Sequence, residues 1–215
     1  MNPLVLLAKS AVESFIREGK IILPSEDLPE KIRNQRAGTF VTIEKLKRGT
    51  TRNDTLNHAE KELRGCIGTY LPIQDNIAEE IIYNAVAAAT GDYRFGPIIK
   101  KELPYLFYTV YILSEPELID DVSKLDPKKF GVIVKTVPLT FPDRTDVVFD
   151  GHVPYKTGLL LPGLEGVETV EQQISIACQK GGIDLTKEKI LIYRFTVERH
   201  KEEKISPEFE TLRAF

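Results

Sequence analysis

Tryptophan is missing from this 215-residue chain, methionine occurs once, and cysteine occurs only at Cys66 and Cys178. Two thiols so far apart cannot by themselves form a disulfide framework or a four-ligand metal site. No run approaches the roughly 18 apolar residues needed to span a bilayer. The apolar N-terminus is broken by Lys9, Glu13, Arg17 and Glu18, which argues against a signal peptide. Glycine-rich phosphate loops of the P-loop or dinucleotide kinds are absent, as are internal repeats and low-complexity linkers. A formal charge of −3 argues against a surface generally coating nucleic acid and leaves room only for a local basic patch. These absences point to a protein of a reducing, cytoplasmic compartment with no membrane association. Scarce Met and Trp beside abundant Lys and Glu fit a heat-adapted source.

What is present is ordinary core material. Hydrophobic residues make up 42%, enough for one large domain or two small ones. Leu4, Leu7, Ala8, Ala11, Val12, Phe15 and Ile16 keep helical spacing, with Asn2 and Pro3 as cap and first turn and Gly19 as the stop. Thr39 to Ile43 is β-branched and aromatic, a strand. Ile73, Ile77, Ile81, Ala85 and Ala88 mark a second helix, capped by Asp75 or Asn76 and ended by Gly91.

Leu106 to Leu113 reads as a strand buried on both faces. Shorter strands are expected around Val132 to Val134 and Leu159 to Leu161, with a hairpin turn at Pro142 to Thr145. Thr169 and Gln172 form a capping box for a helix that turns Cys178 inward and stops at Gly181 and Gly182. Ile190 to Val197 reads as the last strand, and the charged stretch from Glu198 as an exposed tail. This interspersion lacks a regular β-α-β alternation, so the fold class is α+β, with mixed or antiparallel sheets and flanking helices. Residues 91–104 read as a crossing between sub-domains.

The segment Leu63 to Thr69 concentrates the chemistry. Gly65 and Gly68 bracket Cys66, and without a Cβ they allow close backbone approach to a neighbour or a ligand. Arg64 supplies a planar fork suited to a carboxylate or phosphate and able to activate a nearby thiol. On a regularly extended strand Arg64, Cys66 and Gly68 share a face. The competing reading is a buried cysteine with Arg64 in a structural ion pair. A second cluster, Gly91 to Pro97, holds Asp92, Tyr93, Arg94 and Phe95. It is either a cleft-lining loop or a connection in which Asp92 and Arg94 pair while Phe95 plugs the core.

A thiol enzyme also needs a base, yet His58, His152 and His200 show no recognisable Cys/His spacing. Lys45, Lys47, Arg48 and Arg52 surround Gly49 in a basic loop, either a solvated turn or a nucleic-acid contact. Nothing in the spacing asks for a metal.

On these residues the chain resembles the AMMECR-one family. The family hallmark Leu-Arg-Gly-Cys-Ile-Gly-Thr stands unbroken at Leu63 to Thr69. The resemblance continues through Asp92 to Phe95, Glu102 to Pro104, Leu113 to Glu117, Gly158 to Pro162 and Cys178 to Gly182. Gly96-Pro97 stands where the family usually has Pro-Pro, Phe130-Gly131 stands where many members have His-Gly, and the Val137 to Tyr155 hairpin is longer than in many relatives. The resemblance implies an α+β fold with a larger part from roughly 1–70 and 131–215, a smaller part from roughly 71–130, and a cleft between them. It supplies no reaction and no cofactor. It implies association with a Memo-like protein or a radical SAM enzyme, the partners of prokaryotic relatives.

The expected site is then Cys66 as thiol nucleophile or polar wall. Arg64, Gly65, Gly68, Thr69, Asp92 and Arg94 would bind a small anionic ligand. The rival expectation is a non-catalytic adaptor for a protein partner or nucleic acid.

Overall fold

The structure, a computed structural model, describes residues 1–47, 60–137 and 155–202. In chain order the elements are α1 (Pro3–Glu18), α2 (Glu30–Asn34), β1 (Thr39–Leu46), β2 (Lys61–Thr69), α3 (Ile77–Thr90), β3 (Leu106–Leu113), β4 (Glu117–Ile119), β5 (Gly131–Thr136), β6 (Thr157–Leu160), α4 (Val170–Gly181), β7 (Ile190–Phe195) and β8 (Val197–Lys201). Helices accompany two antiparallel sheets, an α+β fold. The elements gather into two compact units, Met1–Leu113 with the described residues from Glu198, and Ser114–Val197.

In the first unit the strand order is β2-β1-β3-β8. The ends of α1 are set by chemistry legible in the sequence. Asn2 Oδ1 accepts the Leu4 N–H at 2.9 Å, Pro3 pre-sets the first turn, and Gly19 closes the helix in the left-handed region at φ 71°. α3 starts at Ile77 because Asn76 Oδ1 takes the Glu79 N–H at 2.9 Å. Ile73, expected on its apolar face, therefore precedes the helix and is exposed. One face of the sheet packs against α1 and α3 through Val41, Ile43, Val110 and Ile112. Residues 91–104 lie within this unit.

In the second unit β4-β7-β5-β6 form the sheet, and α4 covers β5 and β6 over Val132, Val134, Leu160 and Ala177. Thr169 and Gln172 make the expected capping box, and Cys178 is buried on the inner side of α4. Burial in that apolar setting pushes the Cys178 thiol pKa up.

The C-terminal reading needs correcting. Ile190–Val197 is not one strand: Thr196 interrupts it, β7 joins the second sheet, and β8 joins the first. The charged stretch expected as an exposed tail begins as β8: Glu198, Arg199 and Lys201 are exposed yet belong to the strand. Glu202 beyond it is buried, and the stretch from 203 onward lies outside the described residues. Backbone pairing overrides the polar sequence, with the Glu202 N–H donating to Tyr108 O at 3.1 Å. Polar partners then satisfy one side of β8: Lys31 pairs Glu198 at 3.0 Å, and Asn2 Nδ2 meets His200 Nδ1 at 3.1 Å. The hairpin expected around Pro142 to Thr145 lies outside the described residues.

Candidate functional site

Among the described residues β2 is an edge strand, paired only with β1. Its register slips once: Ile43 faces Gly65 while Glu44 faces Leu63, which leaves Arg64 as the extra residue of a bulge. The bulge breaks the alternation that would have set Arg64 beside Cys66. Arg64 instead grips the segment after α3. Its Nε and Nη2 donate to the two carboxylate oxygens of Glu102, each at 3.0 Å, Nη1 donates to Gly96 O at 2.8 Å, and Nη2 also reaches Pro97 O at 3.2 Å. Lys45 Nζ donates to the same Glu102 at 2.8 Å, and the Ile99 N–H does so at 3.1 Å. Burial pushes the Glu102 pKa up, but these donors more than reverse it and hold the carboxyl at about 2. The fork expected to meet an anion is thus engaged by Glu102, the structural ion pair of the competing reading.

The two glycines face protein atoms. A Cβ on Gly65 would lie 2.1 Å from the Ala88 carbonyl oxygen, so α3 and β2 touch backbone to backbone there. A Cβ on Gly68 would lie 2.2 Å from Cγ of Phe40, whose ring covers that position. Thr69 turns inward, its hydroxyl donating to Glu80 Oε1. Glu80 also accepts the N–H groups of Ile73 at 2.8 Å and Gln74 at 2.7 Å. Asn84 Nδ2 donates to Thr39 Oγ1 at 2.9 Å and to Thr69 Oγ1 at 3.2 Å.

This buried network fixes the end of β2, and the sequence reading missed it. The available signal was Glu80 and Asn84, four apart, interrupting the apolar stripe of Ile77, Ile81 and Ala88.

Cys66 is half-buried and pairs across the sheet with Thr42, whose Oγ1 lies 3.2 Å from Sγ. Side chains stand closest at such non-hydrogen-bonded positions, where the backbone groups of the edge residue point outward. Asp92 and Arg94 take the outward groups in place of a fifth strand. The Cys66 N–H donates to Asp92 Oδ2 at 2.8 Å, and Arg94 Nη2 donates to Cys66 O at 3.3 Å. Asp92 and Arg94 are also locked together, Nη2 to Oδ2 at 2.7 Å and Nε to Oδ1 at 2.9 Å. Hydrogen bonding from Arg94, joined by the Cys66 N–H, outweighs burial and lowers the Asp92 pKa to about 2.

Arg94, not Arg64, is therefore the guanidinium beside the thiol. Its own pKa is raised, chiefly by Asp92 and in part by the Cys66 sulfur. Its side chain is 44% exposed, and Nη1 has no partner among the described residues. Tyr111 of β3 reaches toward Thr42 on the same face. Burial pushes its hydroxyl pKa up against the opposing pull of Arg199.

Ile98, rather than Phe95, fills the core under this loop, and Tyr93 projects into solvent. His58 and His152 lie outside the described residues, as do Arg48, Gly49 and Arg52 of the basic loop. His200 is on β8, with β1 and β3 between it and β2. Lys45 pairs with Glu102 and Lys47 with Glu60 at 2.9 Å. Among the described residues no three His, Cys, Asp or Glu side chains gather as a metal would require, and no helix is long and apolar enough to cross a membrane.

Similarity to known proteins extends over most of the chain. A protein of Thermotoga maritima is 44% identical over 200 residues, covering 93% of this chain and 98% of its own length. A protein of Clostridium acetobutylicum is 40% identical over 94% of this chain, which spans only 36% of that longer relative. The crystal structure of the uncharacterized protein PH0010 from Pyrococcus horikoshii superposes with a TM-score of 0.73 at 30% identity, covering 94% of this chain and 91% of that one. The AMMECR1 (AMMECR-one) family matches residues 5–200, which takes in β2, α3 and the Asp92–Arg94 loop, and the chain belongs to that family.

Proposed function

We propose that the edge strand around Cys66 is a small-ligand or substrate site with thiol chemistry, in which Arg94 receives the anionic group. The supporting observation is a half-buried Cys66 whose carbonyl accepts from Arg94 Nη2 at 3.3 Å, while Arg94 Nη1 has no hydrogen-bond partner among the described residues. Asp92 orients Arg94, and Gly65, Gly68 and Thr69 hold the strand in place for it. Arg64 acts at one remove, by tying Gly96, Pro97 and Glu102 to the strand.

Alkylation by iodoacetamide, followed thiol by thiol from about pH 6 to about pH 10, tests the reading. Cys66 is expected to react at least roughly tenfold faster than Cys178, with the fast phase absent from Cys66→Ser and slowed severalfold in Arg94→Gln. A Cys66 as slow as Cys178, or one indifferent to Arg94, would sink it.

A second reading, a non-catalytic adaptor, draws on the Clostridium relative, in which the matching region is a minor part of a longer protein. Tyr93, 94% exposed between Asp92 and Arg94, would then belong to a contact surface. A Memo-like or radical SAM protein is the expected partner, and nucleic acid the lesser one because Lys45 and Lys47 are paired. A complex with such a protein that survives Cys66→Ser but not Tyr93→Ala would favour the adaptor.

A further inference from the structure

We infer that Glu202 is a proton-operated latch for β8: neutral, it keeps the end of the strand seated on β3; ionised, it releases it. The place is separate from Cys66, since β8 and β2 are opposite edges of the first sheet.

Glu198 and His200 alternate onto one face of β8, and Glu202 follows them in the same spacing. The first two have side-chain partners. Glu198 accepts from Lys31 of α2 at 3.0 Å, and His200 Nδ1 meets Asn2 Nδ2, at the start of α1, at 3.1 Å. Glu202 is placed differently. It is 5% exposed, its N–H is fixed on Tyr108 O at 3.1 Å, and its Oε2 is buried with no hydrogen-bond partner among the described residues. The Tyr108 hydroxyl, on a side chain 1% exposed, is equally unpartnered and so solvates no carboxylate there. Buried polar atoms are ordinarily bonded, and each exception asks for a reason. A carboxyl buried in this way is far less costly neutral than charged.

The charged groups that act on Glu202 do not secure it as an anion. Lys9 and Glu13, one turn apart on α1, act with opposite sign, and Lys61 of β2 attracts it. Tyr108 of β3 stays a neutral phenol, because burial, then Glu13 and Glu202, push its pKa up. His200 Nε2 has no hydrogen bond and lies 3.9 Å from Glu198 Oε2, two residues further along the strand from Glu202 than His200 itself. Burial, joined by Glu13, holds the Glu202 carboxyl above its ordinary 4.5 against Lys9, the Tyr108 backbone and Lys61. A carboxyl held higher in the folded state than in the unfolded one contributes attachment that is complete below the ordinary value. That attachment is lost as pH rises through the folded value. A strand end detaches without opening the rest of the unit, so the loss reads out locally and not in global unfolding. On the opposite face of β8 the Arg199 guanidinium lies 5.8 Å from the Tyr111 ring, a contact that release of the strand loosens as well.

Hydrogen exchange of the Glu202 amide, read by NMR on the full chain and divided by the intrinsic rate at each pH, tests the latch. Between about pH 5 and about pH 8 its protection is expected to fall roughly tenfold in wild type and to stay within about twofold in Glu202→Gln. Glu13→Gln should move the fall to lower pH, because a like charge is removed. Lys9→Gln should move it to higher pH, because an attracting charge is lost. Both residues lie outside β8, so opposite shifts do not arise from a damaged strand. His200→Gln should leave the fall in place.

Protection independent of pH in wild type overturns the latch. So does a fall that survives in Glu202→Gln, or one that moves the same way in Glu13→Gln and Lys9→Gln. A fall that vanishes in His200→Gln and persists in Glu202→Gln assigns the switch to the imidazole and overturns it too.

Discussion

Gly65→Ala is expected to cost the first unit about 3 kcal/mol or more, one of the largest effects available to a single methyl group in this chain. The added Cβ would stand 2.1 Å from the Ala88 carbonyl oxygen and 3.1 Å from its carbon. Neither atom belongs to a side chain that can rotate away. Ala88 lies in the last turn of α3, held on either side by the Gly91 N–H on Ala87 O at 2.7 Å and the Ile98 N–H on Ala89 O at 2.8 Å, and Gly65 is held in register against Ile43 just beside the bulge. Relief requires the helix to lift off the strand, which uncovers Ile81 and Ala85.

Gly68→Ala makes the informative comparison. There the Cβ meets Phe40 ring atoms at 2.2 and 2.3 Å, together with the Thr39 oxygen at 2.5 Å. Phe40→Ala removes both of those ring atoms, so Gly68→Ala/Phe40→Ala should lose less than the sum of the two single variants, whereas no side-chain truncation should relieve Gly65→Ala. Urea unfolding of the four variants followed by far-ultraviolet circular dichroism measures both. A Gly65→Ala midpoint indistinguishable from wild type would contradict the backbone-to-backbone contact.

The same segment shows how far sequence reasoning reaches. The helices were legible because their ends carry local chemistry: Asn2 and Gly19 around α1, Asn76 before α3, Thr169 and Gln172 at α4. β3 was legible because every position is suited to burial. β8 was not, since Glu198, Arg199, His200 and Lys201 show no apolar alternation and are held by backbone pairing with a strand almost a hundred residues earlier (a separation on the order of a long loop closure).

The segment proposed as the site stands out in the sequence through glycines bracketing an Arg-Cys pair. The roles of its two arginines were not. Alternation predicts Arg64 beside Cys66, but a bulge is a property of two strands in register, and only the pairing of β1 with β2 reveals it. Arg64 turns to Glu102, and Arg94, arriving from beyond α3, takes the position next to the thiol. The glycines allow close approach of either a ligand or a neighbouring segment, and the Ala88 backbone and the Phe40 ring stand against them.

The Arg64–Glu102–Lys45 clamp should set the acid limit of the first unit. Side chains here are only 14%, 13% and 23% exposed, so solvent screens them little. Glu102 and Asp92 both sit at about 2, below their ordinary 4.5 and 3.8. Carboxyls held lower in the folded state than in the unfolded one contribute stability that is complete above the ordinary values and drains away as pH falls toward about 2. At 1.36 kcal/mol per pH unit, each contributes on the order of 2 to 3 kcal/mol at neutral pH. Unfolding free energy is expected to be flat from about pH 7 to about pH 5 and then to fall steeply on acidification.

In Glu102→Gln the fall below about pH 4.5 should be shallower by about 2 kcal/mol, because one of the two groups no longer titrates. An unchanged acid limb would remove Glu102 from this role. At neutral pH, Glu102→Ala leaves Arg64 and Lys45 largely buried without their countercharge and is expected to cost about 3 kcal/mol. Arg64→Ala is milder, since Lys45 still faces Glu102 at 2.8 Å. The double variant Arg64→Ala/Glu102→Ala should be less destabilised than the sum of the two, because the second change removes a charge that the first had stranded. Strict additivity would mean that Arg64 and Glu102 act independently, and the 96–102 segment would then be held to β2 by its backbone contacts alone.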